Sequence, residues 1–163
     1  MESLSRNEIK FTQLIEDHKR LINQICYFYS SEKIPFEDLR QEVYINLWQG
    51  INKFRGESKL STWIYKVAIN SVLMAIRSTN SRIETTSIDI TRIDISSIFD
   101  DEQKERLEHM YGIINQLDKM EKAIILLWLD ETPYEEIAEI VDLNRNTVAT
   151  KIRRIKEKLS KSI

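Results

Sequence analysis

The chain has 163 residues, 42% apolar and 31% charged, with 3 Gly, 2 Pro, 1 Cys and a formal net charge of -2. That is enough for one ordinary domain or two compact ones, and the scarcity of turn-forming residues favours helices over hairpins, so an all-α fold is expected. No apolar run is long enough to cross a bilayer, MESLSRNEIK lacks a signal-peptide pattern, and a single cysteine allows no internal disulfide, which together point to a cytoplasmic protein.

The first predicted helix runs from Ser5 to about Phe28, where Ile9, Phe11, Leu14, Ile15, Leu21, Ile22 and Ile25 recur at three- and four-residue steps. Cys26 lies in this apolar context and reads as a small buried hydrophobe. Pro35 opens a second helix ending near Gln49 to Gly50, with Phe36, Leu39, Val43, Leu47 and Trp48 on its inner face. After the loop INKFRGESK, a third helix spans Leu60 to about Ser78, capped by Ser61 or a close neighbour.

Apolar residues almost encircle this third helix, which predicts neighbours on more than one side. Its polar remainder is a seam, since Thr62, Lys66, Asn70 and Arg77 fall within roughly 80° on the helical wheel, with Trp63 beside them. A packed helix that keeps one hydrogen-bonding, cationic seam open offers it to a ligand. Phe54-Arg55-Gly56 in the adjoining loop, beside Trp63, suits stacking of unpaired bases with phosphate contacts, although for Trp63 taken alone a core position is the better reading.

Residues 79–99 turn to Ser, Thr, Asp and Ile, types that disfavour helix, and read as an extended interdomain linker; the Ile alternation from Ile88 to Ile98 has no second strand to pair with. Four short helices follow. One runs from about Asp101 to Gln116, one is opened by Asp118 and Glu121 in a capping-box pattern, one starts at Thr132-Pro133, and the last starts at Asn144.

Within this last group, PYEEIAEIVDLNRNTVATKIRRIKEKL fits a helix-turn-helix. Ile137, Val141, Leu143 and Val148 supply its core, Ala138 is small where the helices approach, and Asp142 to Asn144 form the turn. Asp142 stands where glycine is usual, because Asp tolerates left-handed dihedrals next best. On the final helix, Asn146, Thr147 and Thr150 are placed for base-edge contacts, with Arg145 assisting them or holding phosphate. Lys151, Arg153, Arg154 and Lys156 are the candidate phosphate anchors.

Charge supports two sites on a polyanion. Residues 1–49 carry a net -2, residues 50–82 carry +5, residues 83–142 carry -11 and residues 143–163 carry +6.

In combination, DLRQEVYINLW, FRGESKLSTWIYKVAIN and the helix-turn-helix after an acidic linker resemble the extracytoplasmic-function (ECF) group of the sigma-70 family, from about Phe11 to Leu159. The resemblance implies two small helical domains. Residues 5–79 would be region 2, with three helices, and residues 80–100 the linker; residues 101–160 would be region 4, with four helices.

The implied function is promoter-specific initiation within RNA polymerase holoenzyme. Asp38, Gln41 and Glu42 would dock on the clamp helices of core RNA polymerase. The loop Phe54, Arg55, Gly56, Glu57 and Ser58 would pocket a flipped minus-ten base of the promoter DNA. Thr62, Trp63, Lys66, Asn70 and Arg77 would grip the strands, and the helix-turn-helix would read the minus-thirty-five element. Met74 departs from the family, which often carries a polar residue there, frequently Asp. An anti-sigma factor is an implied partner; no cofactor, small-molecule substrate or membrane insertion is implied.

Two other classes compete. A stand-alone regulator with an N-terminal sensing or dimerisation domain explains the helix-turn-helix but not the FRGES loop beside the seam. An enzyme is disfavoured, because His18 and His109 are isolated and no Cys/His cluster or Gly-rich phosphate loop is present in the sequence.

Overall fold

The computed structural model describes residues 6–82 and 99–161, and every regular element in them is helical. In chain order these are α1 (Arg6–Tyr29), α2 (Phe36–Gly50), a single 3-10 turn (Ile51–Lys53), α3 (Leu60–Arg82), α4 (Asp101–Ile114), α5 (Lys119–Leu129), α6 (Tyr134–Val141) and α7 (Arg145–Lys161). The predicted linker lies mostly outside the described residues, as does the Ile alternation from Ile88 to Ile98.

The helix starts follow local chemistry. The Asp100 carboxylate accepts from the Gln103 backbone N-H at 2.8 Å, opening α4. Asp118 and Glu121 complete a reciprocal capping box on α5, satisfying two amides that the first turn leaves unpaired. Asn144 accepts from Thr147 N-H at 2.8 Å at the head of α7. Asp142 adopts left-handed dihedrals (φ 59°, ψ 47°), as its place in the turn predicted. Glu131 also has positive φ (63°), in a turn that no glycine announces.

Three expectations need correction. Trp48 is not on the inner face of α2 but 43% exposed, and meets the edge of Phe11 at 5.1 Å. Ser61 does not cap α3: the helix already starts at Leu60, with Trp63 N-H bonded to Lys59 carbonyl oxygen, so Ser61 sits inside the first turn. The same helix continues to Arg82, turning the first residues of the predicted linker helical, because the polar Ser-Thr-Asn-Ser run extends a helix already nucleated upstream.

In the N-terminal half, Leu21, Ile22, Ile25, Phe36, Leu39, Val43, Leu47, Ile64, Ile69 and Val72 are fully buried where α1, α2 and α3 meet. Cys26 is buried with them, and loss of solvent pushes its thiol up to about 12. Ile124, Leu127, Ile137, Val148, Ile152 and Ile155 fill the C-terminal half between α5, α6 and α7.

The halves are packed together. α6 lies along α3 and α5 touches α1. An aromatic cluster spans them, with Phe28 stacked on Tyr111 at 6.0 Å and Tyr27 against Tyr111 at 5.2 Å and Phe99 at 6.4 Å. Backbone carbonyls at the end of α1 add polar ties, accepting from Tyr111 Oη (Ser30 O, 3.3 Å) and Lys122 Nζ (Phe28 O, 3.2 Å), while Tyr29 Oη donates to Lys119 O.

Candidate nucleic-acid interface

Two cationic surfaces emerge where the sequence placed them. On α7, Val148, Ile152 and Ile155 point into the core and leave the opposite face free. Arg145, Asn146, Arg153 and Arg154 are exposed, and Thr147, Thr150 and Lys151 are half-buried on its flanks. Asn144 capping turns the N-terminal end of α7, with Asn146 and Thr147, toward solvent, and α6 braces it through Leu143 N-H bonded to Ala138 O. This is the exposed N-terminal end of the second helix of the helix-turn-helix.

The cations on α7 are not equivalent. Arg145 Nε binds Glu135 Oε1 at 2.7 Å and its guanidinium lies over the Tyr134 ring. The Glu135 carboxyl is held below its ordinary range, first by a backbone hydrogen bond and then by Arg145. Lys156 rests on the Trp128 ring at 4.1 Å and Lys158 pairs with Glu121 at 2.7 Å, so both brace α7 against α5. Lys151, Arg153 and Arg154 have no carboxylate partner among the described residues, which leaves their charge available to phosphate.

The second surface surrounds the start of α3. Phe54 and Trp63 meet at 5.5 Å with rings tilted by 43°. Two glycines make this geometry possible: a Cβ on Gly50 would come within 2.9 Å of the Trp63 ring, and Gly56 has φ +75°. Arg55, Gly56 and Glu57 form the exposed tip and Ser58 is half-buried.

The polar seam is open only in part. Asn70 and Arg77 are exposed and Lys66 and Trp63 half-buried, but Thr62 is 2% exposed and its hydroxyl has no hydrogen-bond partner among the described residues. The reason is tertiary. Lys59, one turn before Thr62, pairs with Glu136 of α6 at 2.5 Å, which sets α6 against the start of α3. No local signal announced that pair, because its partners are 77 residues apart.

On α2, Asp38, Gln41 and Glu42 are exposed together, as expected, and Ile45 continues the same face one turn on at 49% exposure. Ile45 is an exposed apolar side chain that helical spacing alone did not single out. Glu42 also lines a 610 Å³ groove shared with Asn46, Asn70, Ser71 and Met74. Met74 is 67% exposed at that groove, so its departure from the family pattern costs the core nothing.

Among the described residues no helix is long and apolar enough to cross a membrane. The chain matches sigma-70 region 2 over residues 14–82 and sigma-70 region 4 over residues 108–159. It is 30% identical to the ECF RNA polymerase sigma-E factor of Haemophilus influenzae, across 83% of this chain and 77% of that one. With the ECF RNA polymerase sigma factor SigW of Bacillus subtilis it shares 27% identity, covering 94% and 88%.

Two solved structures share the fold. One is the sigma factor RpoE in complex with the anti-sigma factor NepR from Bartonella quintana (TM-score 0.71, 19% identity, 93% of this chain and 95% of that one). The other is CnrH in complex with the cytosolic domain of CnrY (TM-score 0.66, 18% identity, 92% and 84%). Two family regions in order, relatives matched over most of their length and a helix-turn-helix with a free cationic face converge: the chain belongs to the ECF group of the sigma-70 family, alternative sigma factors that direct promoter-specific initiation by RNA polymerase.

Proposed function

We propose that the two halves divide promoter recognition, residues 5–79 opening and reading the minus-ten element and residues 101–160 reading the minus-thirty-five element. The free face of α7 carries this reading. Asn146, Thr147 and Thr150 take the base edges, while Arg145, Lys151, Arg153 and Arg154 hold phosphate. In the other half the Phe54–Ser58 loop pockets a flipped base, and Thr62, Trp63, Lys66, Asn70 and Arg77 grip the separated strands. Asp38, Gln41 and Glu42 dock on core polymerase. The protein acts as an initiation subunit in the cytoplasm rather than as an enzyme.

The packed arrangement is not the one that spans a promoter. Elements centred at minus ten and minus thirty-five are separated by about 85 Å of duplex at 3.4 Å per base pair. A compact chain of this length has a radius of gyration of only about 15 Å. The halves must therefore part, and residues 83–98 allow it, since their contour reaches up to about 55 Å. Parting releases Lys59 from Glu136 and exposes the Phe28–Tyr111 stack, surface that core polymerase would have to cover. An anti-sigma factor is a further expected partner, supported by the two structural relatives, both solved in complexes and one of them with an anti-sigma factor by name.

Core polymerase with and without the protein tests the assignment. Promoter-specific run-off transcripts are expected only when both are present; core that gains no such initiation sinks it. Glu42→Ala is expected to weaken binding to core while leaving DNA binding of α7 intact, and unchanged affinity for core removes Glu42 from the docking face. Arg154→Ala should weaken binding alike for all sequences and reduce the slope of log K against log salt by about 0.9. Asn146→Ala should instead change which minus-thirty-five sequence is preferred, by about 1–3 kcal/mol of discrimination. Selection from a randomised site measures both, and an unaltered preference in Asn146→Ala overturns the base-contact assignment.

A further inference from the structure

A cleft of about 270 Å³ lies where the end of α1 meets α3, α4 and α5. Its lining includes Lys33, Lys119 and Lys122, the hydroxyls of Ser31 and Thr79, and the amide of Asn115, and it contains no carboxylate. The nearest acids of α5 are already committed: Asp118 caps Glu121 N-H, and Glu121 holds Asp118 N-H and Lys158.

Lys122 is the unusual member. It is only 9% exposed, yet among the described residues its ammonium meets only neutral groups: Phe28 O at 3.2 Å, Asn115 Oδ1 at 3.3 Å and the Tyr29 ring at 5.2 Å. An ammonium has three protons to donate, and two neutral acceptors leave one donor and the whole formal charge without a counter-ion. Loss of solvent accordingly pulls its pKa below the ordinary lysine range, with no carboxylate raising it back. A lysine serving only to cap the α1 carbonyls would not need two further cations beside it on the same wall. Three lysines on a wall whose own lining holds no carboxylate favour an anion between them.

We propose that this cleft is a binding site for a small phosphate-bearing anion, held between the two halves of the chain by Lys33, Lys119 and Lys122. The anion supplies the missing counter-charge and accepts the spare ammonium proton, with Ser31 and Thr79 hydroxyls as further donors. Because the wall is drawn from both halves, the site exists only while they are packed together. Resting on the reading above that the halves part on promoters, the ligand then favours the packed form and opposes promoter binding.

Isothermal titration of the full-length chain with inorganic phosphate and with pyrophosphate, at constant ionic strength, tests the site. One anion per chain is expected, with affinity at least tenfold weaker in Lys33→Gln and in Lys122→Met, and unchanged in the Arg153→Ala/Arg154→Ala double variant. Tighter binding of pyrophosphate assigns a ligand with adjacent phosphates, and equal affinities assign a single oxyanion; both support the site. Should Lys122→Met fail to fold, the half-buried Lys33 decides. Absence of saturable binding, survival of binding in Lys33→Gln, or its loss in the double variant overturns the proposal, the last placing the anion on α7. Run-off transcription without added anion reports separately on the promoter reading.

Discussion

Phe28→Ala is expected to cost about 3–5 kcal/mol of folding stability and to split unfolding into two transitions. Phe28 is 2% exposed, packs edge-on to Tyr27 at 5.3 Å and lies parallel to Tyr111 of the other half. Truncation removes the stacked face and leaves a cavity that the flanking helices, each pinned by other contacts, cannot close. Small domains hold only about 5–15 kcal/mol in all, so this loss consumes a large share. The halves should then melt separately in urea, because the stacked ring of the aromatic cluster between them is gone and the remaining ties are weaker, while Ile124, Ile137 and Ile152 still hold the C-terminal core. A single transition shifted by less than about 1 kcal/mol would mean that the aromatic cluster does not join the halves.

Thr62→Val is expected to act in opposite directions on stability and on function. Val matches Thr in shape and removes a hydroxyl that is buried without a partner among the described residues. An unsatisfied buried hydroxyl costs about 1–3 kcal/mol, so the variant should be more stable by about 1 kcal/mol. That gain belongs to the packed form, in which Thr62 is buried and α6 lies against α3. One kcal/mol lowers the population of the parted form about fivefold, so open-complex formation with core should fall by about fivefold or more. Urea midpoints and run-off transcription measure the two effects. Unchanged or lower stability shows that the hydroxyl is not a burden; higher stability with full transcription removes Thr62 from both strand contact and masking.

The element pattern was readable because its causes are local. Apolar spacing placed α1 through α7 within a few residues, and Asp118 with Glu121, and Asn144, announced helix starts through side-chain oxygens that reach amides three residues on. Asp142 was legible as the left-handed turn residue for the same reason. Trp48 was not: its spacing matched the inner face, but that face was already filled by Phe36, Leu39, Val43 and Leu47. The candidate site divides in the same way. Asn146, Arg153 and Arg154 are exposed where the helical wheel put them, whereas Thr62, on an equally regular wheel position, is buried once α3 packs among its neighbours α1, α2 and α6.

The sequence by itself determined the helices, their caps, the helix-turn-helix and the cationic face of α7, since each depends on residues within one or two turns of one another. Only the tertiary structure decided that the halves pack through Phe28 and Tyr111, that Glu136 reaches Lys59, and that Lys122 is buried without a counter-charge among the described residues. Those contacts join residues 77 to 94 positions apart. No periodicity encodes such a meeting, which depends on which apolar and polar faces remain once each half has filled its own core.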